Sequence, residues 1–172
     1  MIKVNSSQFN YQYGDQIHFP YSMASLITYI KSKPELAKNF SFEKSFVFRD
    51  KIEENIQESV DSDILLCSCY VWNWEITTHL AREVKKKNPK CTIIFGGPQI
   101  PDLSDSFFKE NPFVDIIVHG EGEYVFEEIL NAYLKDKNYS NIKGIETKDL
   151  RTPPQERINN LDDLPSPYLT NT

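Results

Sequence analysis

The chain has 172 residues, 40% of them hydrophobic and 13% aromatic, which is typical of one soluble domain with a sizeable core. Its formal net charge of −6 argues against a nucleic-acid partner, because phosphate binding needs clustered Lys and Arg. No apolar run approaches the ~20 residues that span a bilayer, and no signal-peptide core follows Met1. We therefore expect a cytoplasmic protein without a membrane partner.

The first half of the chain alternates strand and helix patterns. Met1–Asn5 predicts a strand, which a polar, aromatic loop follows through Phe19. The next apolar residues have the i, i+3, i+4, i+7 spacing of an amphipathic helix: Met23, Leu26, Ile27 and Ile30. Pro20 suits its first turn and Pro34 helps to end it. A second strand is predicted at Ser45–Phe48, followed by a helix whose inner face carries Ile52, Ile56 and Val60.

The second half contains the more apolar strands. Asp63–Val71, with the sequence DILLCSCYV, is a near-continuous apolar run, as expected for a central parallel strand covered on both faces. Asn73 can cap the helix that follows. Thr92–Phe95 and Val114–Val118 predict two more buried strands. The cleanest helical stripe comes next, at Phe126, Ile129, Leu130, Tyr133 and Leu134, and Ile142–Thr147 predicts an edge strand.

These elements predict an α/β fold. Five βα units with short connections favour a doubly wound, flavodoxin- or Rossmann-like parallel sheet of five strands with helices on both faces. The early helix favours the strand order 2-1-3-4-5, and ligands of such sheets bind outside the carboxyl ends of the strands. We expect this domain to cover residues 1–149 and the Pro-rich segment 150–172 to form a strap or linker.

Four loops are predicted on one rim of the sheet. They are loop one (Ser7–Phe19), loop two (Ser68–Glu75), loop three (Gly96–Pro101) and loop four (His119–Glu123). They hold glycines, aromatic rings and hydroxyls and contain no Lys or Arg, which suits a large, flat, mostly uncharged ligand. Gly96 and Gly97 can form the floor of a ligand groove, because glycine lets a ligand approach the main chain. The alternatives are plain tight turns at this pair and at Gly120 and Gly122.

Other rim residues also have an ordinary structural interpretation beside a functional one. Trp72 and Trp74 either pack in the protein or flank a ligand. Cys67 and Cys69 share one strand face and are interpreted as small buried hydrophobes, with a reactive thiol pair as the minority alternative. His119 can bond a ligand amide or a neighbouring carbonyl.

Two strand ends carry a resemblance to a known family. Ser68-Cys69-Tyr70 and Gly96-Gly97 resemble the S-x-L and G-G elements of cobalamin-binding domains of the methionine-synthase type. The wider pattern resembles the amino-terminal B12-binding-like domain of B12-dependent radical SAM proteins. The matching segments, in the same order, are CSCYVWNWE, GGPQ, FVDIIVHGEGEYVFEEIL, IKGIE and INNLDDLPSPYL.

The resemblance implies a cofactor domain of a larger enzyme. Cobalamin would bind base-off, with its nucleotide tail inserted between predicted strands three and four. From the strand ends and the rim loops together, we predict these cofactor-binding residues: Tyr13, Gly14, Asp15, Ser68, Cys69, Tyr70, Trp72, Asn73, Gly96, Gly97, Pro98, Gln99, His119, Gly120, Glu121 and Gly122. The partner would be the radical SAM barrel of the same parent chain. S-adenosylmethionine and a [4Fe-4S] cluster would bind there rather than to this fragment, and the parent would transfer methyl groups.

The sequence departs from the methionine-synthase pattern after the first strand. That pattern, D-x-H-x-x-G, supplies the histidine below cobalt, whereas Asp15 and His18 are one residue too far apart. An ordinary loop histidine is therefore favoured over a cobalt ligand, and no catalytic residue is assigned.

Two further hypotheses remain open. A degenerate domain that binds no cobalamin would serve in docking or substrate gating, and Trp72 or Tyr13 would fill its groove. An unrelated flavodoxin-like module, a receiver or a flavin mononucleotide protein, is weakly supported by the loop sequences.

Overall fold

The computed structural model describes residues 1–102 and 106–170. Its strands are β1 (Ile2–Ser7), β2 (Gln12–Tyr13), β3 (Gln16–Ile17), β4 (Phe40–Phe46), β5 (Ile64–Ser68), β6 (Thr92–Gly96), β7 (Ile116–Val118) and β8 (Ile145–Glu146). Its helices are α1 (Tyr21–Lys31), α2 (Pro34–Ala37), α3 (Ile52–Ser59), α4 (Trp74–Lys87), α5 (Phe107–Glu110) and α6 (Glu123–Tyr133), with a 3₁₀ turn at Leu161–Asp163.

The main sheet has the order β4-β1-β5-β6-β7-β8. The first five of these strands are parallel and β8 runs antiparallel to β7. The predicted order 2-1-3-4-5 and the doubly wound class are therefore confirmed. The sheet has six strands rather than the five of the parallel set, because the chain turns back after α6 and adds the predicted edge strand.

Apolar residues on both faces of the sheet explain the continuous apolar strands. Leu66 and Ile94 face a cluster formed with α1 and α6, whereas Leu65, Cys67 and Ile93 face a second cluster formed with α3 and α4. Every residue of β5 is buried. A central parallel strand has no solvated face, and its sequence therefore lacks alternation.

Several boundaries differ from the sequence prediction. β4 begins at Phe40, five residues before the predicted start, because its exposed middle (Glu43 and Lys44) masks the strand pattern at the edge of the sheet. The run Asp63–Val71 is extended only to Ser68. Beyond it, the main chain turns toward α4. The hairpin formed by β2 and β3 and the short helices α2 and α5 were not predicted, since each is too short for a periodic pattern.

The segment after β8 lies against the domain. The amide of Gly144 donates to the carbonyl of Pro153 at 2.8 Å, and the amide of Ile158 donates to a carboxylate oxygen of Glu121 at 2.6 Å. The Tyr168 ring packs against that of Phe19, with centroids 5.0 Å apart, so the segment contacts the domain as far as Tyr168. The domain boundary at residue 149 stays a prediction. Among the described residues, no helix has the length and apolar character needed to cross a membrane.

Candidate functional site

A groove opens at the carboxyl edge of the sheet, between one sheet face and helices α1 and α6. Its volume is about 310 Å³. The deep part is apolar, since it is lined by Leu66, Ile94, Val118, Met23 and Phe126. Hydroxyl groups and glycines surround the mouth. The described lining residues include no Lys or Arg, so the groove suits an uncharged flat group better than a free polyphosphate.

Ser68 and Gly96 form the floor at the mouth of the groove. They are the last residues of β5 and β6 and are register partners in the parallel ladder. The Ser68 hydroxyl has no hydrogen-bond partner among residues 1–102 and 106–170, which leaves it available to a ligand. A Cβ on Gly96 would meet the Val118 Cβ at 3.9 Å, an ordinary contact. Gly96 is therefore not required by the fold, and its missing side chain widens the groove.

Gly97 has a structural reason to be glycine. Its φ is +102°, a conformation that residues with a Cβ rarely adopt. A Cβ at this position would lie 2.6 Å from the carbonyl oxygen of Cys69. That same carbonyl accepts a hydrogen bond from the amide of Gln99 at 3.1 Å, which fixes it in place. Gly97 therefore joins loops two and three as well as lining the groove.

Helices α1 and α6 form the wall opposite the sheet. The hydroxyl of Ser25 donates to a carboxylate oxygen of Glu123 at 2.8 Å, and the hydroxyl of Tyr29 donates to Glu127 at 2.7 Å. Burial and the Glu127 carboxylate raise the pKa of Tyr29 well above its ordinary value. The tyrosine therefore stays protonated at physiological pH. Its bond to Glu127 joins α1 to α6, and neither residue lines the groove itself. Both carboxylates accept bonds from the protein, so they are already partnered.

A second cavity of about 530 Å³ lies beside the groove, and we call it the aromatic cavity. It is lined by Gln8, Asn10, Tyr11, Tyr13, His18, Phe19, Tyr70 and Trp72. Arg49 supports two of its walls. Its guanidinium donates to the Trp72 carbonyl oxygen at 2.9 Å and stacks 4.6 Å from the Tyr11 ring centroid. The rim loops contain no cation of their own, and this one comes from the loop after β4.

The structure brings half of the predicted cofactor residues together in the groove. They are Ser68, Tyr70, Gly96, Gly97, Pro98, Gly120, Glu121 and Gly122. Tyr13 and Trp72 line the aromatic cavity with His18. Gly14 and Asp15 form the exposed turn between β2 and β3. All these assignments to a cofactor stay predictions.

The remaining predicted residues lie beneath or beside the rim. Asn73 is fully buried, and its amide bonds Tyr70, Phe9 and Ser68 backbone atoms at 2.8–3.2 Å. It makes no side-chain cap of α4, contrary to the sequence prediction, because its side chain holds loop two instead. His119 lies at the β7–β8 edge, with its Nε2 3.6 Å from a Glu146 carboxylate oxygen. Cys69 is fully buried, and Gln99 follows Gly97 in loop three.

Sequence reasoning missed the contribution of α1. Tyr21, Ser22, Ser25 and Leu26 line the groove from its first two turns, and Glu123 lines it from α6. The sequence did contain a signal for this wall, since Ser22 and Ser25 are three residues apart and so lie on one face of α1. The structure also shows why Gly122 suits this wall, because a Cβ there would come 3.1 Å from Leu26 of α1.

The three cysteines are expected to be unreactive in the folded protein. Burial raises the pKa of the thiols of Cys67 and Cys91 to about 12 and also raises that of Cys69. At pH 8 a thiol reagent such as Ellman's should label none of them in native protein and all three in denaturant. Labelling of one native thiol would contradict the assignment as buried hydrophobes.

The raised pKa values of the thiols also predict how the stability of the fold changes at alkaline pH. Because the folded values exceed the ordinary value of 9.0, the thiols' contribution is fully present below about pH 9. It is lost as the pH rises through about 12.

The fold and the groove together define a doubly wound α/β domain with a ligand site at the carboxyl edge of its sheet. The sequence model described as "B12 binding domain" matches residues 39–130, more than half of the chain. The chain belongs to the B12-binding domain family.

Two of the similar proteins are methyltransferases. The chain is 36% identical over 149 residues to the 2-(S-pantetheinyl)-carbapenam-3-carboxylate methyltransferase of Streptantibioticus cattleyicolor. It is 34% identical over 149 residues to the cobalamin-dependent radical SAM methyltransferase TokK of Streptomyces tokunonensis. Both alignments cover 84% of this chain and 22% of the relative.

A third relative has a different activity. The chain is 30% identical over 129 residues to the anaerobic magnesium-protoporphyrin IX monomethyl ester cyclase of Rubrivivax gelatinosus, covering 66% of this chain and 22% of the relative. The chain thus spans about a fifth of the length of these curated relatives.

Proposed function

We propose that this domain binds cobalamin base-off, with the nucleotide tail of the cofactor in the groove between β5, β6 and helices α1 and α6. The observation that carries the proposal is the open groove whose floor pairs Ser68 with Gly96. At its mouth, a serine hydroxyl without a hydrogen-bond partner among the described residues lies beside a position without a side chain. Family membership supports cobalamin as the ligand.

The groove fits the tail in size and chemistry. Its volume of about 310 Å³ is at the lower end of the roughly 300–1,000 Å³ of ligand pockets, so it suits a nucleotide-sized group rather than a whole corrin. The apolar depth suits a benzimidazole ring, and the hydroxyls at the mouth suit a sugar. Trp72 and Tyr13, which would fill a degenerate groove, are 43% and 66% exposed and line the aromatic cavity. This favours cofactor binding over a docking module.

The residues of this chain hold and orient the cofactor. Ser68 would donate or accept a hydrogen bond at the buried tail, and Gly96 leaves room for it. Glu121 and Glu123 accept bonds from Ile158 and Ser25, which limits their repulsion of an anionic linker. When bound, cobalamin supplies a cobalt that can carry a methyl group, and the protein supplies orientation.

We further propose that the parent protein is a radical SAM enzyme that transfers methyl groups. The names of two relatives support methyl transfer, and one of them also names radical SAM chemistry. The small share of their length that the chain covers supports a partner domain in the same polypeptide. S-adenosylmethionine and the iron–sulfur cluster would bind to that partner. The similarity to a cyclase means that the cofactor domain alone does not determine the reaction.

A titration with hydroxocobalamin tests the proposal. At 100 times its dissociation constant, a ligand stabilises a protein by about 2.7 kcal/mol, which corresponds to a Tm increase of roughly 5–11 °C at this chain length. We expect this increase together with a change in the visible spectrum of the corrin. No change in either at saturating cofactor would overturn the proposal.

Replacing Ser68 by alanine is expected to weaken cobalamin binding about five-fold, since one net hydrogen bond contributes about 1 kcal/mol. The measurement is the dissociation constant by absorbance titration. Ser45→Ala is the matched control, because the Ser45 hydroxyl bonds Ser6 at 2.7 Å on the edge strand β4. An equal loss of affinity in both variants would contradict a direct role for Ser68.

A further inference from the structure

Tyr70 separates the groove from the aromatic cavity. Among the described residues, Tyr70 is the one that lines both the groove and the aromatic cavity. It follows β5 in loop two, and its half-buried ring lies between the two spaces. A ligand that occupies both cavities at once must therefore pass this side chain.

Two contacts hold the Tyr70 ring in place. Its hydroxyl is 2.9 Å from the hydroxyl of Ser22 in the first turn of α1, so the pair forms a hydrogen-bonded bar across the groove. Its ring stacks on Trp72, with centroids 4.4 Å apart and planes inclined by 15°. Trp72 is itself 43% exposed and can move with the ring. Neither contact is part of the buried core.

The backbone beneath the ring is fixed much more firmly. The Tyr70 amide donates to the Asn73 side-chain oxygen at 2.8 Å, and the Asn73 amide donates to the carbonyls of Phe9 and Ser68. Asn73 is fully buried. The side chain of Tyr70 can therefore change rotamer while its backbone stays in place. A side chain that moves aside for a ligand needs this combination of a fixed backbone and a mobile ring.

We propose that Tyr70 is a partition that the ligand displaces, so that the groove and the aromatic cavity become two compartments of one site. This inference rests on the proposed function. The ligand class it selects has a nucleotide-sized group for the groove and a larger flat, apolar body for the aromatic cavity. The bar between Tyr70 and Ser22 opposes entry, and breaking it is a step in association.

Association kinetics of hydroxocobalamin test the partition. The rate constant is measured by stopped-flow absorbance for the wild type, Tyr70→Phe, Ser22→Ala and the double variant. Each single variant removes the same hydrogen bond from a different side and should speed association about five-fold, the factor that corresponds to one net hydrogen bond. The double variant should show the same five-fold gain, because the bond can be lost only once.

Tyr29→Phe is the matched control. It removes a tyrosine hydroxyl that also bonds a neighbouring element, Glu127 of α6, at 2.7 Å, outside both cavities. Its association rate should equal that of the wild type. An equal gain in this variant would show general loosening of α1 and would overturn the partition.

The remaining outcomes are also decisive. Unchanged rates in both single variants, or a multiplicative gain of about 25-fold in the double variant, would overturn the inference while leaving cobalamin binding intact. A wild-type protein that fails to bind cobalamin would overturn the proposed function itself. If Tyr70→Phe does not fold, Ser22→Ala alone tests the bar, because both variants are expected to give the same rate.

Discussion

Replacing Gly97 by alanine is expected to destabilise the domain by about 3 kcal/mol or more. A residue with a Cβ at a φ of +102° is strained by about 1–3 kcal/mol. The new Cβ would also lie 2.6 Å from the backbone oxygen of Cys69, which is fixed by the amide of Gln99 and cannot yield easily. At this chain length, 3 kcal/mol lowers Tm by roughly 6–12 °C.

Thermal or urea unfolding measures this loss, and the neighbouring Gly96→Ala is the matched control. Its Cβ would make an ordinary 3.9 Å contact with Val118, and we expect its stability to stay within about 1 kcal/mol of the wild type. If Gly97→Ala unfolds at the same midpoint as Gly96→Ala, the close approach between loops two and three is not what requires Gly97.

Replacing Gly96 by valine is expected to raise the dissociation constant for cobalamin by roughly 5- to 150-fold. This factor corresponds to a free energy of about 1–3 kcal/mol, the usual cost of inserting extra methyl groups into a filled space. Gly96 is the register partner of Ser68 and lines the groove. The valine methyl groups would occupy the space in which the nucleotide tail is proposed to lie. The measurement is an absorbance titration with hydroxocobalamin.

The size of the substituent provides an internal control for this prediction. Gly96→Ala should lower the affinity less than Gly96→Val, because its single methyl fills less of the groove. Unfolding of both variants should be close to that of the wild type. Wild-type affinity in a folded Gly96→Val protein would contradict the position of the tail.

The sheet could be predicted from the sequence because burial on both faces leaves a plain pattern. The apolar run that contains β5 identified a central strand, and the early helix gave the strand order. The start of β4 could not be predicted, since Glu43 and Lys44 interrupt the apolar pattern of an edge strand with one solvated side. The antiparallel direction of β8 depends on contacts that its two residues do not encode.

The candidate site was predictable to the extent that it consists of strand ends. Ser68 and Gly96 follow from the strand pattern, and parallel strands bring their carboxyl ends to one edge. The wall from α1 was missed because the Ser22–Tyr70 contact joins residues 48 positions apart. Arg49 was missed for the same reason, since its contact with the Trp72 carbonyl joins two loops that no local pattern relates.

The electron paramagnetic resonance spectrum of cob(II)alamin bound to this domain tests the central claim most directly. In free cofactor at neutral pH, the axial benzimidazole nitrogen splits the cobalt lines. With the tail held in the groove between β5, β6, α1 and α6, that nitrogen is removed from cobalt, so the bound spectrum should be base-off and lack the splitting. A bound spectrum that keeps the benzimidazole splitting would contradict the account.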